Sequence, residues 1–97
     1  MMQLVLAYDV NTTTPAGRRR LRTVAKICEG YGHRVQKSVF EITCDEAALL
    51  KLIDRVSRTI DHDDDSVRIY RLPAHGFETA RTLGNAHPVP HSDPLIV

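Results

Sequence analysis

Asp9 ends an apolar run, Leu4 to Ala7 followed by Tyr8, and so carries a carboxylate from a rigid element into the mouth of a loop. The plainer reading is structural: Asp-Val-Asn-Thr is good turn sequence, and such an aspartate often only accepts hydrogen bonds from the next backbone amides. Arg18, Arg19, Arg20 and Arg22 are the second concentration of chemistry. They account for most of a charge split hidden by the net charge of +1: seven basic against three acidic residues up to Cys44, six against nine after it. A basic face of this kind favours anions, although basic runs on helices are also commonly no more than solvated surface.

Other constellations carry less. Asp61, Asp63 and Asp65 copy the start of a calcium loop, but Ser66 and Leu72 stand where glycine and a bidentate glutamate are required, which leaves a solvated turn. His33, His62, His75, His87 and His91 lack the helical spacing of a zinc site. No phosphate-binding glycine loop, dinucleotide turn or serine nucleophile elbow occurs, and Ser38 has no evident base. Tyr8 and Phe40 could stack on bases, but an aromatic residue near a strand end is more often core.

These residues need elements to position them. Residues 3–9 read as a strand, apolar at successive positions and so covered on both faces. Thr14 is the expected N-cap of a helix from Pro15 to about Gly30, with Leu21, Val24, Ala25 and Cys28 as its buried stripe. His33 to Cys44 is rich in β-branched and aromatic residues and forms one long strand or a hairpin, with Lys37-Ser38 as the better bend. Thr43 with Glu46, or Asp45 one turn later, caps a second helix whose apolar positions are Leu49, Leu52, Ile53, Val56 and Ile60. Residues 66–72 alternate as a last strand.

The resulting order is βαββαβ, an α+β domain of ferredoxin-like fold with both helices on one sheet face. The other face calls for cover, which a second copy of the chain would give, making a homodimer through the sheet face. We expect residues 1–72 to form the core. Residues 73–97, with Pro88, Pro90 and Pro94, are an arm of the same single domain whose Leu95-Ile96-Val97 end can add a strand to a sheet edge. A chain of 97 residues leaves no room for a second core. Its early apolar run is too short for a membrane span or signal peptide, so we expect a cytoplasmic protein with no membrane partner. Cys28 and Cys44 form no Cys-x-x-Cys pair and read as reduced core residues.

Leu-Ala-Tyr-Asp-Val at 6–10, Arg-Arg-Leu-Arg-Thr-Val-Ala-Lys-Ile-Cys at 19–28 and Gly-His-Arg-Val-Gln-Lys-Ser-Val-Phe-Glu at 32–41 resemble the CRISPR-associated protein 2 family. Asp-Ser-Val-Arg-Ile-Tyr-Arg-Leu at 65–72 extends the likeness, which covers residues 3–72. The resemblance implies that Asp9 binds Mg2+ or another divalent cation at a dimer axis and is needed for endonuclease activity on RNA or DNA. It implies further site roles for Tyr8, Arg20, Arg22, Arg34 and Phe40, with Arg34 joining Arg18, Arg19, Arg20 and Arg22 as nucleic-acid contacts. It also implies a homodimer bridging the partner integrase, CRISPR-associated protein 1, and DNA during spacer acquisition. One carboxylate per chain is a poor magnesium site, whereas two related by a dyad can share an ion that keeps several waters. A structural DNA-binding scaffold without nuclease activity, or a toxin-like small ribonuclease, are the alternatives.

Overall fold

The computed structural model describes residues 1–85. The elements run β1 (Met2–Asp9), α1 (Pro15–Glu29), β2 (Gly32–Gln36), β3 (Val39–Cys44), α2 (Glu46–Thr59) and β4 (Ser66–Leu72). The strands form one antiparallel sheet in the order β2-β3-β1-β4, the ferredoxin-like arrangement expected from the βαββαβ pattern. The expected strand-adding arm at Leu95 to Val97, and His87 and His91, lie outside the described residues.

Local chemistry sets the element ends. The Thr14 hydroxyl accepts from the Gly17 amide (3.0 Å) and Pro15 fills the first helical position, an arrangement that stabilises a helix start by about 1 kcal/mol. Lys37 and Ser38 form the hairpin turn between β2 and β3. At α2 the two candidate caps separate: Asp45 Oδ1 accepts from the Ala48 amide (2.8 Å), while Thr43 Oγ1 is buried with no hydrogen-bond partner among the described residues.

Period-two alternation divides the sheet residues between two faces. Leu4, Leu6 and Tyr8 of β1 and Phe40, Ile42 and Cys44 of β3 are buried in one cluster with Val24, Ile27 and Cys28 of α1 and Leu52 and Val56 of α2. Both helices therefore cover this face. The opposite face carries Val5, Ala7 and Asp9 of β1, Val39 and Glu41 of β3, and Ser66, Arg68 and Tyr70 of β4, as the cross-strand register requires. Tyr70 there is 49% exposed. At its Gln3 end this face meets further chain: Gln3 accepts from the Phe77 amide (3.0 Å) and donates to Glu78 (3.2 Å).

The helix stripes fall close to their expected positions, with two differences. Ile27 joins the core beside the expected stripe of Leu21, Val24, Ala25 and Cys28, and Ile53 of α2 is 43% exposed. No helix among the described residues is long and apolar enough to cross a membrane.

Candidate active site

Because strand side chains alternate, Tyr8 and Asp9 leave β1 on opposite faces. Tyr8 goes inward. Its ring stacks on Phe40 with centroids 6.1 Å apart and planes inclined by 26°. Its hydroxyl donates to the Lys37 carbonyl (3.3 Å), and its backbone amide donates to the Ser38 carbonyl (3.0 Å). One residue thus holds the β2–β3 turn beside the end of β1. Arg34, opposite Phe40 in the ladder, lays its guanidinium 5.2 Å from the Phe40 ring centroid and pairs with Glu29 at the end of α1 (3.4 Å). Burial raises the Tyr8 phenol above its ordinary pKa, more than the neighbouring Arg34 lowers it. A phenol raised in this way is neutral at pH 7.

Asp9 goes outward, cross-strand from Ser66 on the open face, and is exposed. Among the described residues its carboxylate accepts no hydrogen bond and makes no ion pair. The capping role that turn sequence allows Asp9 is filled instead by Asn11, whose side-chain oxygen accepts from the Thr13 amide (3.0 Å) and hydroxyl (2.7 Å).

The loop leaving Asp9 is anchored by a residue that the sequence reading set aside. Asp65, expected in a solvated turn, has a side chain with 0% exposure. Its carboxylate accepts from the Asn11 amide (2.9 Å), the Asp61 amide (2.9 Å), and Arg20 through Nε (2.8 Å) and Nη2 (3.4 Å). The loop after β1, helix α1 and the turn before β4 therefore meet on one buried carboxylate. Hydrogen bonding from Arg20, opposed by burial and reinforced by the two amides, lowers the Asp65 pKa to about 2. Gly17 completes the joint, since a Cβ there would collide with the Asn11 carbonyl. Asp61 and the exposed Asp63 do form a surface turn, with Asp61 Oδ1 accepting from the Asp63 amide (2.9 Å). Position decided the difference: Asp65 immediately precedes the strand whose first residue pairs with Asp9.

The predicted residues thus separate into groups. Tyr8, Arg34 and Phe40 come together on the helix side, Arg20 is tied to Asp65, and Asp9 stands alone on the open face. Arg18 bonds the Thr12 carbonyl (3.3 Å) at the start of α1. Arg19 and Arg22 line a surface groove with Lys26 and with Arg55 of α2, two cations that the sequence reading did not select.

No group of three or more His, Cys, Asp or Glu residues among those described could hold a metal ion. Asp9 alone is nonetheless a fitting donor: a hard, exposed oxygen ligand that makes no ion pair among the described residues, suited to an ion that keeps most of its waters and takes one or two carboxylates.

A family model described as CRISPR associated protein Cas2 matches residues 2–80. A CRISPR-associated endoribonuclease Cas2 of Rhodospirillum rubrum is 45% identical over 94 residues, 97% of this chain and 99% of its own. A CRISPR-associated endonuclease Cas2 of Halalkalibacterium halodurans is 41% identical over 95 residues, 98% of this chain and 99% of its own. The crystal structure of Streptococcus pyogenes Cas2 superimposes with a TM-score of 0.78 at 47% identity, covering 86% of this chain and all of that one.

Proposed function

The chain belongs to the CRISPR-associated protein Cas2 family, and on that premise we propose that it is an endonuclease of the spacer-adaptation machinery that works as a homodimer. The observation that carries this reading is the exposed, unpartnered Asp9 carboxylate on the open sheet face, in a chain whose relatives are named endoribonuclease and endonuclease.

The open face supplies the dimer surface. Val5, Ala7 and Val39 form an apolar strip beside the half-exposed Tyr70, and apolar area of this kind is stabilised by burial against a second copy. Asp9 borders the strip on β1, so two copies bring two carboxylates toward one axis. Like charges brought together disfavour ionisation unless a cation or proton lies between them. Asp9 from each copy would hold a divalent ion, Mg2+ by its preference for carboxylate and water. An ion held there supplies Lewis-acid polarisation of a phosphodiester and acidifies a water.

The remaining site residues act through position. The Asp65 joint fixes the loop that follows Asp9, and Arg20 acts through Asp65. Tyr8, with Phe40 and Arg34 packed beside it, fixes the Lys37–Ser38 turn on the other side. The scaffold role, in which the dimer bridges the partner integrase and DNA in the cytoplasm, uses the same domain with residues 73–97 as its arm. That Asp9 is the one carboxylate per chain read here as a metal donor is the feature that favours a scaffold without nuclease activity as the second reading. Assaying purified wild type and Asp9→Asn on RNA and duplex DNA, with and without Mg2+, separates the two. Metal-stimulated cleavage that vanishes in Asp9→Asn supports the enzyme; no such cleavage by the wild-type dimer supports the scaffold.

A further inference from the structure

The arginines of the strands divide by register. Arg34 stands opposite Phe40 and Arg71 opposite Leu4, so both belong to the helix side of the sheet. Arg68 stands opposite Ala7, which puts it on the face of Asp9. Because Asp9 pairs with Ser66, Arg68 is its diagonal neighbour across the two strands. Such neighbours lie about 7–8 Å apart, within reach of long side chains. The two nevertheless form no ion pair among the described residues. Arg68 Nη1 donates instead to the Tyr70 hydroxyl (3.1 Å), one step further from Asp9 along the same face. The row that Arg68 shares across the sheet, Ala7 of β1 and Val39 of β3, brings no acid to it. An exposed guanidinium is thus held beside the carboxylate without quenching it.

We propose that Arg68 is a further catalytic residue of the Asp9 centre, the cation that receives the scissile phosphate, and that the Tyr70 hydroxyl positions it. The inference rests on the reading of Asp9 as the metal-binding carboxylate of a homodimer. Charge balance carries it. Two Asp9 carboxylates offset one divalent ion, so that centre alone has no net attraction for a phosphodiester. As a water oxygen bonds to phosphorus, negative charge builds on the non-bridging oxygens. The bond to the leaving sugar oxygen then breaks, and that oxygen departs with the bonding pair and takes up a water proton. A fixed cation beside the non-bridging oxygens lowers the barrier to this step. A guanidinium also presents two parallel N–H groups to two phosphate oxygens, a geometry that an ammonium cannot copy. The hold of Tyr70 has a second use: freed from it, the guanidinium would fold onto Asp9 and compete with the ion.

Two experiments on the full chain test this, each with Arg71→Gln as a control that loses one charge from the other face. In the first, short single-stranded RNA and duplex DNA are titrated without divalent ion against Asp9→Asn and against Asp9→Asn with Arg68→Gln, so that neither cleavage nor metal enters. Removing Arg68 is expected to cost about tenfold in affinity and to lower the slope of log K against log salt by about 0.7 for each single-strand phosphate released. In the second, cleavage is followed as Mg2+ is raised. Arg68→Gln should lower kcat by about 100-fold, with half-saturating Mg2+ shifted down because a nearby cation is gone. Arg68→Lys should recover part of the loss, and Tyr70→Phe should raise half-saturating Mg2+ by freeing the guanidinium. A residue that only supports the fold would not move those two midpoints in opposite directions. Arg68→Gln that sediments as a monomer makes Arg68 an interface pair and overturns the proposal. Unchanged binding with unchanged kcat, or an equal loss in Arg71→Gln, overturns it too. Wild type that shows no Mg2+-stimulated cleavage yet binds through Arg68 overturns the endonuclease reading, and with it the catalytic role, while Arg68 stands as the phosphate contact; the two failures are therefore distinguishable.

Discussion

The two faces of the sheet treat neighbouring residues of β1 differently. Leu4, Leu6 and Tyr8 are shut away under α1 and α2, where side chains stack, pair and donate to carbonyls. Val5, Ala7 and Asp9 look the other way, onto a face with a half-exposed tyrosine and a carboxylate without a partner. The covered face is spent on holding the fold, whereas the open face is left for another molecule. Changes on the covered face should therefore unfold the chain, while changes on the open face should leave a folded protein that fails to assemble or to cut.

Phe40→Ala is the most damaging change expected, because the ring is 0% exposed and is flanked by Tyr8 and Arg34. A loss of about 4 kcal/mol in denaturant unfolding is predicted. If Phe40→Ala keeps its stability and loses only activity, the division between faces is wrong at this residue.

Asp65→Ala should come next, at about 3 kcal/mol, since it leaves the buried Arg20 contact and two backbone donors without their acceptor. The pH dependence follows from the lowered Asp65 pKa of about 2. The unfolded carboxyl titrates near about 3.9, so its stabilisation is complete above that pH and is lost as pH falls toward 2. Unfolding midpoints of wild type and Asp65→Asn should therefore converge in acid, and parallel curves over that range would contradict the assignment.

Tyr8→Phe removes the hydroxyl, with its bond to the Lys37 carbonyl and its interaction with Arg34, and keeps the ring stacked. About 1 kcal/mol is expected, with looser β2–β3 turn amides seen by hydrogen exchange. On the open face, Val5→Glu should shift the stability of the monomer by less than any of these. Sedimentation should show the dimer dissociated, and an intact dimer would place the interface elsewhere.

Much of this division could be read from the residues. Thr14 and Pro15 mark the start of α1 by satisfying or omitting amides that have no helical partner, and Lys37–Ser38 is the polar break in an otherwise β-rich run. The covered face of β1 follows from alternation once a strand is granted. What remained hidden depended on distant contacts. Asp65 looked like Asp61 and Asp63 because burial is set by Asn11 and Arg20, which lie 54 and 45 residues away in the chain. On charge alone Arg20 is one of four similar cations for the same reason, and the resemblance gives it a site role but not its tie to Asp65. Arg55 could be grouped with Arg19 and Arg22 only after α2 was packed beside α1.

The central claim is that the open face carries a metal-dependent active centre built from Asp9 of two copies. The most direct measurement is the cleavage rate of a labelled nucleic acid by the purified dimer as Mg2+ is raised, for wild type and Asp9→Asn. Stability should differ by no more than about 0.5 kcal/mol between them, and both should remain dimers. Wild type is predicted to cleave with a rate that rises and saturates with Mg2+, while Asp9→Asn stays at background. Equal Mg2+-stimulated cleavage by the two proteins would contradict the account.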